Sequence, residues 1–341
     1  MISKHSLTEL FKTHHLPVYR VKQVFHAIYK EGESDYSKMS VLPAAAKILL
    51  TEHAPVFCFS VVREVVSSNT DTVKTLFKLK DGKLIEGVLM RFRDGRRSVC
   101  VSSQVGCGLK CSFCATGTMG FFRNLTDEEI ADQVLYFDQW LKKFHHERVD
   151  HVIFMGMGEP MLNYESVMSA IRTLNDPDAL GIAARHITVS TSGVIPGIVK
   201  LSDEELQINL AVSLHSPDQA LRESIMPIAK PYTIPKLMEA LHDYVEKTHR
   251  RISYEYVMLK NINDSPQTAR QLGKLIRGQR CHVNLIPYNE TYLGFSNSGK
   301  SRIDEFREIV ESYGVPVTVR VSLGQDISAA CGQLAVEEKR K

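Results

Sequence analysis

From residue 98 onward the chain repeats one pattern: a short β-type run, a polar or glycine-rich break, then a longer stretch of helical period. Strands are expected at 98–103, 151–155, 186–190, 208–213, 253–258, 282–287 and 315–321. Helical segments fall between them, among them 265–277 and 126–144, the latter opening on Thr126-Asp127-Glu128-Glu129, a capping-box sequence. Strand–helix alternation of this kind predicts an α/β fold built on a parallel sheet with crossover helices, a barrel or partial barrel. The chemically unusual residues sit at the strand ends. A cysteine-rich loop follows the first strand, and Gly156-Met157-Gly158-Glu159-Pro160 follows the second. Ser190-Thr191-Ser192-Gly193 ends the third, Ser213-Leu214-His215 ends the fourth, and Asn289 lies just past the sixth. In (β/α) barrels ligands bind at the carboxyl ends of the strands, so these motifs are expected to meet at one mouth.

Upstream the period differs. Val21, Val24, Phe25 and Ile28 recur at helical spacing, and the first fifty or so residues read as helical. Between 58 and 100 the runs are short and strand-like, broken by Asp81-Gly82 and Asp94-Gly95, both hairpin-turn dipeptides. Glu86 therefore falls on a strand between two tight turns. The expected organisation is a helical accessory unit over 1–55, a β-hairpin segment over 56–97 and the barrel over 98–341.

A net charge of +3 does not by itself argue for nucleic acid. The stretch 74–97 is more suggestive, with Lys74, Lys78, Lys80, Lys83, Arg91, Arg93, Arg96 and Arg97 against Asp81, Glu86 and Asp94. It could be a phosphate-binding face or a solvated strand face. No apolar run reaches membrane-spanning length and no secretory leader is seen, so a cytoplasmic protein is expected. Seven cysteines, three of them tightly clustered, point to metal or redox chemistry in a reducing compartment.

Those three, Cys107, Cys111 and Cys114, stand in the spacing C-x3-C-x2-C. Clustered thiolates select soft metals. A 4Fe-4S cluster held by three cysteines keeps one iron open, and an open iron can chelate the amino and carboxylate groups of S-adenosylmethionine. Zinc, with Cys100 as a fourth ligand, is the competing assignment, though no second C-x2-C pair or histidine-rich partner lies nearby. The other motifs are weak singly. Gly158 and Glu159 could approach a bound amino acid or simply form a turn. Ser190 and Ser213 could cap strands, His215 could be a structural histidine, and Asn289 a turn residue.

The C-x3-C-x2-C spacing resembles that of the radical S-adenosylmethionine superfamily, and a wider set of motifs resembles one branch of it. Ser102 to Cys107, Cys114-Ala115-Thr116-Gly117, Arg123-Asn124-Leu125-Thr126, Met155 to Pro160, Ser190 to Gly193, Ser213-Leu214-His215, Asn284 to Pro287 and Ala329 to Leu334 are similar to the RlmN/Cfr family, as is the helix at Arg20-Val21-Lys22-Gln23. These enzymes methylate an adenine ring carbon of 23S ribosomal RNA. The resemblance implies a partial (β/α)6 barrel with a small N-terminal helical domain and a β-hairpin extension. It implies Cys107, Cys111 and Cys114 as ligands of a 4Fe-4S cluster, and Gly158, Glu159, Ser190, Ser213, Leu214, His215 and Asn289 as contacts of S-adenosylmethionine.

It also implies a covalent route using two S-adenosylmethionines per turnover. One methylates Cys331. The other, reductively cleaved, yields a 5′-deoxyadenosyl radical that takes hydrogen from the S-methyl group, and the methylene radical adds to adenine. Cys100 then attacks sulfur, leaving a transient Cys100–Cys331 disulfide, and Glu86 is the proton acceptor. Glu86 lies fourteen residues before Cys100 where the family offset is thirteen, so an insertion or bulge is expected in the strand between them. Glu290 follows Asn289 where the family has proline.

Gly158-Glu159-Pro160 and Ser190-Thr191-Ser192-Gly193 resemble the RlmN branch, which acts at C2. The short N-terminal region is closer to the Cfr branch, which acts at C8 and confers antibiotic resistance. C2 methylation is the expectation, with transfer RNA as a possible further substrate, a flavodoxin-type electron donor and a monomeric enzyme. The alternatives are another radical S-adenosylmethionine enzyme, such as a glycyl-radical activase, and a zinc-stabilised RNA-binding module.

Overall fold

A computed structural model describes residues 4–289, 293–321, 323 and 325–327. The chain opens with three helices, α1 (Lys4–Thr13), α2 (Arg20–Phe25) and α3 (Ala44–His53). The stripe expected from spacing is the buried one: Val21, Val24, Phe25 and Ile28 are each 5% exposed or less. α2 runs on into a π-helical turn, His26–Glu31, which ends at Gly32 with φ +80°, a conformation open to glycine because it lacks Cβ.

Three antiparallel strands follow, β1 (Phe59–Val66), β2 (Thr72–Leu79) and β3 (Leu84–Arg91). β3 pairs antiparallel with β4 (Arg97–Cys100), where the alternating βα pattern begins. A small hairpin of β5 (Gln104–Gly106) and β6 (Phe121–Asn124) brackets the cysteine loop. Then β7 (His151–Phe154), β8 (Ile187–Thr191), β9 (Asn209–Ser213), β10 (Ile252–Met258) and β11 (Cys281–Pro287) add in parallel, followed by the short β12 (Val317–Val319). The crossovers are α4 (Asp127–His145), α5 (Tyr164–Asn175), α6 (Ile195–Ser202), α7 (Gln219–Ile225), α8 (Ile234–Thr248), α9 (Pro266–Ile276) and α10 (Lys300–Glu311).

The result is one ten-stranded sheet in the order β1-β2-β3-β4-β7-β8-β9-β10-β11-β12. Six parallel strands, β4 and β7 to β11, each followed by helix, make the expected partial (β/α)6 barrel. The segment 59–91 is hydrogen-bonded into the same sheet. α4 starts at the expected capping box: Thr126 Oγ1 accepts from the Glu129 N–H, and Glu129 Oε2 accepts from the Thr126 N–H.

Strand pleating sorts residues to opposite faces. On β2, Phe77 points outward, its ring 5.2 Å from Tyr136 and 6.0 Å from Phe137 of α4. Gly87 of β3 lies under that layer, where a Cβ would come 2.9 Å from Phe137. The residues between face the barrel interior: Thr72, Lys74 and Leu76 on β2, and Glu86, Val88 and Met90 on β3. Cys100 joins them, because its Cα partner across the β3–β4 pair is Val88.

The expected irregularity between Glu86 and Cys100 is not in the strands. Val88, Leu89, Met90 and Arg91 pair with Cys100, Val99, Ser98 and Arg97 without a break. The turn between them, Phe92 to Arg96, is closed by Phe92 N–H to the Arg96 carbonyl at 2.9 Å. Any extra residue is therefore taken up in that turn, where it leaves strand register and side-chain facing unchanged.

Candidate active site at the carboxyl ends of the strands

A cavity of about 580 Å³ lies inside the barrel at the strand ends. All three clustered cysteines line it, Cys107, Cys111 and Cys114. So do Gly158, Glu159, Ser190, Ser213, His215 and Asn289, contributed by the carboxyl ends of four different strands and the loops that follow them. Three of the expected residues are not among those lining it. Leu214 is fully buried behind the wall, its N–H bonded to the Glu255 carbonyl. Cys100 and Glu86 sit on the interior face that also carries the cavity-lining Val88 and Met90. Cys331 and Glu290 lie outside the described residues.

The cysteine loop is held from several sides. Cys107 N–H bonds the Gly120 carbonyl of the hairpin, and Ser112 N–H bonds the Ile225 carbonyl at the end of α7. Gly117 tucks beneath Cys111, where a Cβ would come 3.0 Å from the Cys111 carbonyl oxygen. Burial pushes the Cys107 thiol up to about 11, and pushes Cys111 up as well, helped by the neighbouring Cys114 and Cys107. Thiols that resist ionising alone become thiolates when a metal supplies the positive charge. Among the described residues, no three Cys, His, Asp or Glu side chains converge as a single ion requires. Three thiols lining one cavity are the donor set that an iron–sulfur cluster would take, and Cys107, Cys111 and Cys114 would hold it.

The Gly-Met-Gly-Glu loop is shaped by packing against the chain leaving β4. A Cβ on Gly156 would come 2.6 Å from the Val101 carbonyl oxygen, and one on Gly158, at φ +98°, 2.5 Å from Gln104 Cβ. The glycines admit backbone to backbone, and that brings Glu159 to the wall. Its carboxylate accepts the Met161 N–H at 3.1 Å and the Ser192 N–H at 2.8 Å. Burial still raises its pKa above the usual carboxylate range.

His215 is neutral for a visible reason. Its Nδ1 accepts the Val257 N–H at 3.0 Å, which assigns the proton to Nε2. Burial, and then the nearby Arg222 charge, push its pKa down to about 3. Its ring meets Phe113, inside the cysteine loop, edge-on at 4.9 Å.

Lys74 does not belong to a phosphate-binding face. It is fully buried, with Nζ 3.8 Å from Glu86 Oε1. Of its basic neighbours, Arg91 and Arg97 both bind Glu147, and Arg96 binds Asp94; Lys78, Lys80, Lys83 and Arg93 are exposed. The strand alternation Thr72-Val73-Lys74-Thr75-Leu76 carried the signal, because it puts Lys74 on the face of Leu76. Sequence reasoning also missed Ser102, whose hydroxyl donates to the Glu86 carbonyl at 2.7 Å and accepts the Met157 N–H at 2.9 Å. That one side chain ties the Glu86 strand to the Gly-Met-Gly-Glu loop.

Comparison with known proteins agrees with this geometry. The Radical SAM superfamily model matches residues 101–272. A probable dual-specificity RNA methyltransferase RlmN 2 of Protochlamydia amoebophila is 44% identical over 98% of this chain and 93% of its own length. The corresponding RlmN protein of Enterococcus faecalis is 41% identical over 100% of this chain and 96% of its own. A radical SAM methyltransferase from Sphaerobacter thermophilus superposes with a TM-score of 0.94 at 44% identity, covering 97% of each chain. With these motifs in place over its whole length, the chain belongs to the RlmN family of radical S-adenosylmethionine RNA methyltransferases.

Proposed function

We propose that this protein methylates C2 of an adenosine in the peptidyl-transferase centre of 23S ribosomal RNA, through an S-methylcysteine at Cys331. What carries this reading is the position of Cys100. It lies on the barrel's interior face, one strand from Glu86, on the same face as Val88 and Met90, which line the cavity with the three clustered thiols. A thiol and a carboxylate so placed suit release of a covalent RNA adduct.

When bound at Cys107, Cys111 and Cys114, the cluster supplies the electron that cleaves S-adenosylmethionine. The chain's own residues do the rest. Glu159, with both oxygens oriented by backbone N–H groups, is placed to receive an ammonium, and Asn289 offers donor and acceptor to a purine or ribose edge. Cys331 carries the methyl group as a thioether, then as the sulfur end of the RNA adduct. Glu86 takes the proton from the substituted adenine carbon. Cys100, as thiolate, attacks the Cys331 sulfur: the S–C bond breaks, an S–S bond forms, and the displaced electron pair leaves the carbon as a protonated methyl group. An external dithiol must then reduce the Cys100–Cys331 disulfide.

The described chain supports an approach of this kind. The turn at Gln325–Ile327 comes back to the antiparallel strands, with Asp326 accepting the Ser68 N–H at 2.7 Å. Cys331 is four positions beyond Ile327. The name dual-specificity RNA methyltransferase borne by the relatives supports a second RNA specificity, for which transfer RNA is our candidate. A flavodoxin-type one-electron donor would complete the system.

The test is nucleoside mass spectrometry of ribosomal and transfer RNA treated with the reconstituted enzyme. 2-Methyladenosine is expected; 8-methyladenosine would assign the protein to the Cfr-type reaction instead. Cys331→Ala should abolish product, and Cys100→Ala should accumulate protein covalently joined to RNA. Free methylated RNA at the normal rate from either variant would overturn the covalent route.

A further inference from the structure

Arg222 is the largest fully buried side chain of the described residues, at 0% exposure. Burying a guanidinium costs several kcal/mol unless an anion compensates it. Its four hydrogen bonds all go to carbonyl oxygens: Leu214 at 3.1 Å, Ser192 at 2.8 Å, Ser213 at 3.3 Å and Tyr232 at 3.4 Å. None of these acceptors carries a formal charge, so the cation has dipoles around it and no carboxylate among the described residues.

Three of those carbonyls belong to the strand-end motifs Ser190 to Gly193 and Ser213 to His215. Gly193 leaves the room needed: a Cβ there would come 3.1 Å from Arg222 Nη2. Arg222 itself sits on α7, and the last residue of α7, Ile225, accepts the Ser112 N–H at 2.9 Å from within the cysteine loop. One guanidinium thereby braces two walls of the cavity and the helix that anchors the third. Its charge also reaches the cavity wall at His215, whose pKa it helps lower.

We propose that Arg222 is the built-in counter-charge of the cluster: a positioning residue whose fixed cation stabilises the reduced, more negative cluster and so raises its reduction potential. The anion missing from Arg222's surroundings is then the group that three thiolates would hold. Net charge and local electrostatics are among the levers that set iron–sulfur potentials. The redox step concerned is transfer of one electron from an external donor, dithionite in the test below, to the oxidised cluster. This inference rests on Cys107, Cys111 and Cys114 holding that cluster. Iron and sulfide analysis of the reconstituted wild-type protein tests that premise separately.

The experiment is an electron paramagnetic resonance redox titration of anaerobically reconstituted wild type, Arg222→Lys and Arg222→Met, without RNA. In Arg222→Met the reduced-to-oxidised ratio at a fixed applied potential should fall roughly tenfold, the order expected of one unit charge acting through several ångströms of protein. Arg222→Lys, which retains the charge but loses the planar fork, should stay near wild type in potential while melting lower. Should Arg222→Met not fold, Arg222→Gln keeps amide donors for the carbonyls and carries the same expectation. A neutral variant that loads less iron or melts lower, yet titrates at the wild-type potential, would overturn the proposal and leave Arg222 a purely structural brace.

Discussion

Lys74 and Glu86 face each other from adjacent strands inside the barrel, Nζ 3.8 Å from Oε1, with side chains 0% and 5% exposed. Removing one partner of a buried pair strands the other charge, and that costs about 3–5 kcal/mol. Lys74→Met should therefore lower unfolding stability by about that amount in chemical denaturation under reducing conditions. Lys74→Met combined with Glu86→Gln should recover most of it. Equal stability of the single and double variants would show that the two groups are not coupled.

Acid should weaken the fold through His215. Its folded pKa of about 3 lies below its ordinary value near 6.5, because burial, and then the nearby Arg222 charge, disfavour the protonated ring. Between those values the unfolded chain binds the extra proton. The contribution is therefore fully present above pH 6.5 and is lost as pH falls toward 3, at up to about 1.4 kcal/mol per pH unit. His215→Asn retains an acceptor for Val257 and suits the left-handed φ of +56°. Stability measured against pH should have a shallower slope in that variant; an unchanged slope would assign the acid sensitivity to other groups.

Gly158→Ala should damage the site more than an ordinary surface substitution would. The new Cβ at φ +98° meets Gln104 Cβ at 2.5 Å and its backbone nitrogen at 2.8 Å. Either the Gly-Met-Gly-Glu loop or the chain after β4 must move, at a cost of about 1–3 kcal/mol. Equilibrium dialysis should show weakened S-adenosylmethionine binding by the loaded enzyme. The matching control, Gly82→Ala, has open space at its Cβ, and only the strain of its positive φ should be felt.

At the start of α4, Thr126→Ala should cost about 1 kcal/mol, the usual value of an N-cap. Glu129→Ala should cost more, because Glu129 also takes Arg123 in two hydrogen bonds, 2.7 and 2.8 Å, beside the cysteine-loop hairpin. Thermal melts of the two variants give the order; a larger loss for Thr126→Ala would mean the Arg123 pair contributes little.

Local period and turn chemistry made much of this molecule legible. The seven strands expected from residue 98 on lie where alternation put them, to within a few residues at their ends, because each β-branched run and its capping signals act over neighbours in sequence; the small β5–β6 hairpin was not among them. The capping box at Thr126 and the stripe on Val21, Val24, Phe25 and Ile28 were legible for the same reason. The convergence of Cys107, Glu159, Ser190, Ser213, His215 and Asn289 on one cavity followed from strand order, since parallel strands carry their carboxyl ends to one side.

Other features depended on which strand lies beside which. Lys74 counted as one more surface cation until pairing with β3 set it against Glu86, and a strand's partner is not encoded within the strand. Arg222 gave no local sign, because its carbonyl partners lie eight to thirty residues away and meet only when α7 folds over two strand ends. That the strands between Glu86 and Cys100 pair without a bulge could be seen only once the β3–β4 register was in view. The cysteine spacing and strand-end motifs thus determined by themselves what chemistry the chain carries. Tertiary packing alone decided the charges around it, because electrostatic neighbours are set by distance in space and not along the chain.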